Sequence, residues 1–465
     1  LYCYYLIKGL KLKYRDYIAD NSNNDRVDYH EIRIEETDST RLVYKGKELD
    51  NISQNRDLGG NIRVAYKGAW AFSSFNSLSG IKNKIVDATN QARLIGDKKT
   101  LLAEVEPRID SVKNFSGKNP NSISLAEKKR LMDHYLKLVW SVKGVSGSDI
   151  VYSDTNRKVY FGNSEGTSID QQHKHVTFRI SVQAREGGDV QQSGFSIGSL
   201  GDFNVVEDLD ETIIESTKKV LGLLKSKPLR GGERTVVLDP VLAGVFVHEA
   251  FGHLSEADNV YENTKLKDIM YLGRKFGGKH LNFTDGARIS GLRGSYKYDD
   301  EGTPASVTPL VRRGELVGRL HSRETAGKLD ENPTGNARSI NYAFPPIVRM
   351  TNTRIEAGEA TFEDLLEGVS DGVYVKNWYG GMTQHEMFTF SSGEAYMIRN
   401  GNVEEPIRPV MLTGNLFSTL ENLDGVGNDI GMNQGGGCGK AGQSPLPVAT
   451  GSPHIRIRNC LISGG

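Results

Sequence analysis

Apolar residues recur along this chain with two periods, and the switches between them mark its elements. Residues 27–35, 41–45 and 62–66 read as strands and lead through Gly68 to Trp70 and Phe72. A helical period follows. Ile81, Ile85, Ala88 and Ile95 share one face of a helix opening at Ser79, with Gly96 as its stop. Past a charged connector, Ser124 and Glu127 form the capping box of a second helix. The theme then repeats. Strands near 150–152 and 159–161 precede Val176, Phe178, Ile180 and Val182, which alternate strictly, and Gly187-Gly188 marks a hairpin turn. A helix over 210–225 closes this second block before Pro228.

The texture changes across residues 228–233. Residues 234–238 read as a strand, and Asp239 followed by Pro240 is a helix start, a capping side chain and then a proline at the first helical position. Leu242, Val245 and Phe246 give that helix a buried face. The remainder is strand and glycine. Residues 289–298, 306–312, 316–321, 347–352, 372–375, 387–390 and 395–398 read as strands, and 361–366 as a short helix. The pattern predicts an α+β chain: a duplicated N-terminal strand/helix region followed by a β-rich C-terminal domain. Its units are expected at 1–110, 111–230 and 231–465.

Composition narrows the class. A length of 465 residues suggests two or three domains at roughly 150 residues each. With 58 basic and 58 acidic residues the chain has no net field, which points away from nucleic acid and anionic membrane. Three cysteines, Cys3, Cys438 and Cys460, include no CxxC pair and argue for a reducing, cytoplasmic setting. The apolar run 1–7 is closed by Lys8 and Lys11 and lacks a cleavage site. It is shorter than the roughly 20 residues of a spanning helix, so it reads as the start of a packed element. The first residue, Leu1, predicts that the natural start lies upstream.

Candidate chemistry concentrates in His248-Glu249-Ala250-Phe251-Gly252-His253. Two imidazoles and a carboxylate this close are the parts of a hydrolytic zinc site, the nitrogens for the ion and the carboxylate for the proton of its water. The familiar signature spaces its histidines four apart. Here they are five apart, and at about 100° per residue His253 lies roughly 140° around a regular helix from His248. The helix must therefore end near Gly252 or carry a π-type bulge there. The competing reading is a helix bearing two unrelated histidines. A third ligand is required. Cys438 lies in Gly435-Gly436-Gly437-Cys438-Gly439-Lys440, where few side chains shield the sulfur and Lys440 would lower its pKa. The same stretch could equally be a tight turn with an incidental thiol; it is one residue short of a P-loop, with Ala441 in place of Ser or Thr. Cys460 reads as a strand residue. His173 and His175 share a strand face opposite in parity to Val176 and Phe178, which predicts solvent exposure, and His385-Glu386 reads as surface. Gly380-Gly381, after Trp378 and Tyr379, could either line a peptide groove or serve a turn.

Seven segments in order resemble the TldD branch of the TldD/PmbA family of peptide-processing metalloproteases. They are residues 68–72, 163–167, the 248–253 box, 333–338, 349–353, 392–396 and 438–444. The resemblance implies zinc held by His248, His253 and Cys438, with Glu249 as the catalytic carboxylate. It also implies a dimer, with itself or with an inactive PmbA-like paralogue. One departure stands out. The family usually continues Gln-Ser-Val-Pro-Val, whereas Gln443-Ser444-Pro445-Leu446-Pro447-Val448 carries an added proline, which predicts a stiffer groove floor. Three functions remain in view: a zinc peptidase acting on unfolded or extended peptides, a cysteine hydrolase using Cys438 and His253, and a non-catalytic regulatory or scaffold partner.

Overall fold

The alternating runs of the N-terminal half merge into one long sheet. The computed structural model describes residues 27–113, 117–384 and 386–464; the 1–7 run, Cys3 and His385 fall outside these. Strands Tyr29–Lys45 (β1), Glu48–Tyr66 (β2) and Ala69–Phe75 (β3) precede helix Ile81–Ile95 (α1). Then come Ile109–Lys113 (β4), helix Leu125–Ser141 (α2), Val145–Asn163 (β5), Ser168–Glu186 (β6), Asp189–Ser199 (β7) and helix Asp210–Lys225 (α3). The sheet order is β3-β2-β1-β5-β6-β4, with β7 also on β6. The break expected at residues 36–40 does not exist. There β1 is hydrogen-bonded to β2 on one side and β5 on the other, so the ladder carries the polar stretch.

Burial follows strand parity. Leu42, Tyr44, Ile150, Tyr152, Val176, Phe178 and Ile180 form a core with Met132, Tyr135, Val139, Ile213 and Val220 from α2 and α3. Each fully buried apolar side chain contributes roughly 1.5–3 kcal/mol. Under α1, Ile32, Ile34, Ile62 and Val64 pack on Ile81, Ile85, Ala88 and Ala92. The Ser124–Glu127 capping box forms as expected, and β6 turns into β7 at Gly187-Gly188.

The C-terminal half is a small barrel beside a second sheet. Asp371–Gln384, Gly232–Leu238, Ile455–Gly464, Val410–Asn415 and Met387–Arg399 pair in that order, and the last pairs back to the first. Closure removes exposed edges along most of the ring. The second sheet includes Val307–Arg312, Phe283–Gly286, Asn352–Ile355 and Ala449–Ser452. Helix Pro240–Val247 (α4) lies between them, with Phe246 meeting Phe388 and Phe390 at ring distances of 5.4 and 6.3 Å.

Residues 289–298 and most of 316–321 are not the strands their sequence suggests. The backbone donors of Lys297 and Tyr298 are met by the Gln171 side chain at 3.0 and 3.1 Å, and the Tyr296 hydroxyl donates to the Gly335 carbonyl. Bonds reaching across the molecule replace a ladder. Ion pairs, one of them buried, tie the two halves together. Arg63 meets Glu31 (2.8 Å) and Glu301 (3.1 Å), and Arg323 grips Glu165 through two bonds of 2.7 and 2.9 Å. Among the described residues no helix is long and apolar enough to cross a membrane.

Candidate metal centre

Helix α4 opens as its sequence dictates, the Asp239 carboxylate accepting from the Leu242 N–H at 2.9 Å. Its regular turns stop at Val247. Residues His248–Gly252 form a π turn and His253–Ser255 a 3₁₀ turn, with the His253 N–H bonded to the His248 carbonyl. This wider turn puts both imidazoles on one side. Their centroids are 5.5 Å apart and their planes at 79°. The irregularity required by the five-residue spacing is present, at the expected glycine. The reason for that glycine differs from expectation. Gly252 has φ −59° and ψ −49°, open to any residue, but the Met350 Sδ occupies the place a Cβ would need.

Cys438 does not lie in an unshielded loop. It sits on strand Gly437–Lys440, opposite Leu446 of Gln443–Pro447, and is 2% exposed. The hairpin is pinned from behind. Buried Arg349 donates to the carbonyls of Cys438 (2.8 Å) and Gln443 (3.1 Å), and Arg338 to those of Met350 (2.6 Å) and Pro447 (2.7 Å). Two motif arginines far upstream of Cys438 thus fix the hairpin that carries it.

The ligand atoms of His248, His253 and Cys438 all lie within 4.8 Å of one another. The Cys438 Sγ is 3.5 Å from the His253 Nε2, and the Glu249 Oε2 lies 3.9 Å from that same nitrogen. His248 is buried, and its Nδ1 has no hydrogen-bond partner. Two imidazoles and a thiol with a carboxylate beside them form a donor set suited to zinc.

Electrostatics favour a thiolate. Burial pushes the Cys438 thiol up, but the charge of His248 and hydrogen bonds to both imidazoles outweigh it and bring the thiol down to about 4. Against burial, Glu256 and then Cys438 raise His253 well above the usual imidazole range, and Cys438 and then Glu249 raise His248. Lys440 does not do the work expected of it. Its ammonium meets Asp258 at 2.7 Å and Glu256 at 3.1 Å, so the imidazoles, not the lysine, lower the thiol.

Glu256 was not anticipated. Fully buried, it accepts from the His253 Nδ1 at 3.0 Å, which orients the ring so that Nε2 faces Cys438. Burial raises its pKa, but His253 and Lys440 together hold it below the usual carboxylate range. The signal was His253-x-x-Glu256, a carboxylate about one turn beyond the second histidine. Other candidates stay apart. Cys460 is a buried strand residue opposite Arg234, its thiol pushed up to about 12 by burial. His173 and His175 line a roofed cavity instead of facing solvent. Gly380 and Gly381 lie within a strand whose register shifts between Trp378 and Gly380.

Residues 231–464 match the PmbA/TldA metallopeptidase C-terminal domain, 30–93 its domain 1 and 118–224 its central domain. The chain is 45% identical over 441 residues to a metalloprotease of Synechocystis sp., covering 94% of this chain and 95% of the relative. It is 30% identical over 417 residues to a zinc metalloprotease TldD homolog of Saccharolobus solfataricus, covering 89% and 91%. Among solved structures, TldE from Thermococcus kodakarensis has the same fold, with a TM-score of 0.75 at 18% identity over 94% of this chain and 97% of that one. The chain belongs to the TldD/PmbA family and is a metallopeptidase.

Proposed function

We propose that this metallopeptidase is a zinc enzyme that hydrolyses unfolded or extended peptides, with His248, His253 and Cys438 as ligands and Glu249 as general base. The observation that carries the reading is the convergence of the three ligand atoms within 4.8 Å, with the Glu249 carboxylate 3.9 Å from a ligand nitrogen. Zinc held there would polarise a scissile carbonyl and acidify a water toward about pH 7. The chain's own groups do the rest. Glu249 accepts the water proton at its carboxylate and delivers it to the leaving amine. Glu256 keeps the His253 Nδ1 proton in place, and Arg349 fixes the Cys438 backbone. Beyond Asn377, whose N–H donates to the Asp239 carboxylate at 3.1 Å, the strand 378–384 pairs on one side only among the described residues. That free edge suits an extended peptide joining by backbone hydrogen bonds, with little side-chain preference.

The test is zinc content and hydrolysis of an unstructured peptide by purified protein and by Glu249→Gln. The variant should keep its zinc and lose about 10²–10⁴-fold in rate. Near-normal turnover would make another residue the base, and a biological role that survives the substitution would favour a scaffold. The 3.5 Å Cys438–His253 approach also suits a thiol nucleophile and its base. A chelator separates the two, since it abolishes the zinc reaction and spares a thiol one. A thiolate ligand fits a reducing cytoplasm. The family resemblance supports a dimer, with itself or with a PmbA-like paralogue, which sedimentation of purified protein would test.

A further inference from the structure

The sheet face opposite the helices is roofed by the C-terminal half, yet it is polar. Along neighbouring strands Thr37, Arg157 and His173 form one row, and Ser39, Thr155 and His175 the next. They floor a cavity of about 390 Å³ beneath Arg293, Tyr296 and Arg338. A covered sheet face is ordinarily apolar, so this one is arranged around something other than packing.

The charges show what is lacking. Arg157 is matched by Asp300 at 3.2 Å, which Arg33 shares at 3.0 Å. Arg293 and Arg338 are each only 7% exposed, and both donate to carbonyl oxygens alone: Arg293 to Gln434 and Gly436, Arg338 to Met350 and Pro447. Among the described residues neither forms an ion pair. Asp285 and Asp300 act on Arg338 from beyond contact distance, and the Tyr296 ring lies 5.3 Å beneath it. A buried guanidinium without a directly bonded carboxylate is still costly, and Arg293 has none. The Arg293 Nε and the His175 Nδ1 are also buried without hydrogen-bond partners. Burial and then the charge of Arg338 lower Arg293 to about 10, the response of a cation wanting an anion. The cavity also shares a wall with the metal centre. Pro445, Leu446 and Pro447 line it, and Leu446 stands directly opposite Cys438 in the hairpin.

We propose that this cavity binds a carboxylate of the peptide substrate, terminal or side-chain, between Arg293, Arg338 and His175. The inference rests on the peptidase reading and adds a substrate class to it: peptides that offer an anion on the far side of the Cys438 hairpin.

The test uses full-length Glu249→Gln protein and a short, fluorescent, alanine-rich peptide with a free C-terminus, its C-terminal amide, and an amide carrying an internal glutamate. The free acid should bind about tenfold or more tightly than the plain amide, as for a charge-assisted pair. Recovery of affinity by the glutamate peptide would identify a side chain as the source, and its failure to recover the terminus. Thr155→Asp, which sets a negative charge in the floor, should erase the preference, whereas the similarly sized Thr155→Asn should keep it. Ser39→Asp repeats the test from the same row should Thr155→Asp not fold. Acid and plain amide binding alike with no gain from glutamate, no binding by any peptide, or a preference that survives both aspartates would overturn the proposal. So would inorganic phosphate binding in an aspartate-sensitive way while the peptides show no preference, which would leave a small-oxyanion site. Hydrolysis by the parent protein is read separately. A missing carboxylate preference with hydrolysis intact removes this inference alone, and missing hydrolysis with the preference intact removes the peptidase reading alone.

Discussion

Glu256→Ala should weaken zinc binding although residue 256 is not a proposed ligand. The carboxylate is fully buried and accepts from the His253 Nδ1 at 3.0 Å, the Lys440 Nζ at 3.1 Å and the Asn259 Nδ2 at 3.3 Å. Its loss strands only one of these. Lys440 retains Asp258 at 2.7 Å and the Val348 carbonyl at 3.2 Å, and Asn259 retains the His253 carbonyl at 3.0 Å. The His253 Nδ1 loses its partner and the ring is free to turn. A hydrogen bond to a charged group contributes roughly 1.5–3 kcal/mol, which converts to a factor of about 10–100 in affinity, the range found for carboxylates behind a metal-bound histidine. Glu256→Gln keeps an uncharged acceptor and should fall toward the lower end. The assay is competition for zinc between metal-free protein and a chromophoric chelator, with thermal melting to establish that each variant is folded. Asp258→Asn, on the other side of Lys440, is the control and should bind zinc close to the parent. A folded Glu256→Ala protein with parental zinc affinity would refute the positioning role.

Cys438→Ser should strip most of the zinc while Cys460→Ser retains it and loses only stability, about 1–3 kcal/mol for a hydroxyl placed in a buried thiol site; elemental analysis and melting curves check both, and equal zinc in the two would remove Cys438 from the site. Gly252→Ala should lower zinc affinity and cost roughly 1–3 kcal/mol through overpacking against Met350. Met350→Ala in the same chain should restore the affinity, and failure of that rescue would assign the glycine another role. Arg349→Met should lower both the melting temperature and the zinc content, because two buried carbonyls lose their donor at about 1–3 kcal/mol each; a stable variant with full zinc would show that the hairpin holds itself.

Local physics made much of the site legible. Asp239 and Pro240 start the helix by capping. If the two histidines share one ion, their five-residue spacing requires a helix end or a π-type bulge near Gly252, of which the structure has the π turn at His248–Gly252. His253-x-x-Glu256 was equally local, and its meaning needed only the question of what holds the other ring nitrogen. Cys438 was legible as a thiol near glycines, but not its burial. The thiol joins the apolar core of the C-terminal half, and Arg349 and Leu446 fix the strand that carries it, contacts that depend on the folded hairpin.

What the sequence determined by itself was periodicity: strands of period two, helices with their caps, and the α+β order that follows. Those signals arise from contacts within a few residues, and so they survive without a fold. Tertiary structure decided the rest. Pairing on both sides carried β1 through residues 36–40, where the sequence reads as a break. Reach across the molecule turned 289–298 from a predicted strand into a loop satisfied by Gln171. Parity put His173 and His175 on the polar face, but only the C-terminal half made that face a cavity instead of a surface. Which face meets solvent is a property of what covers it, and the cover here lies more than a hundred residues downstream at Arg293 and Arg338.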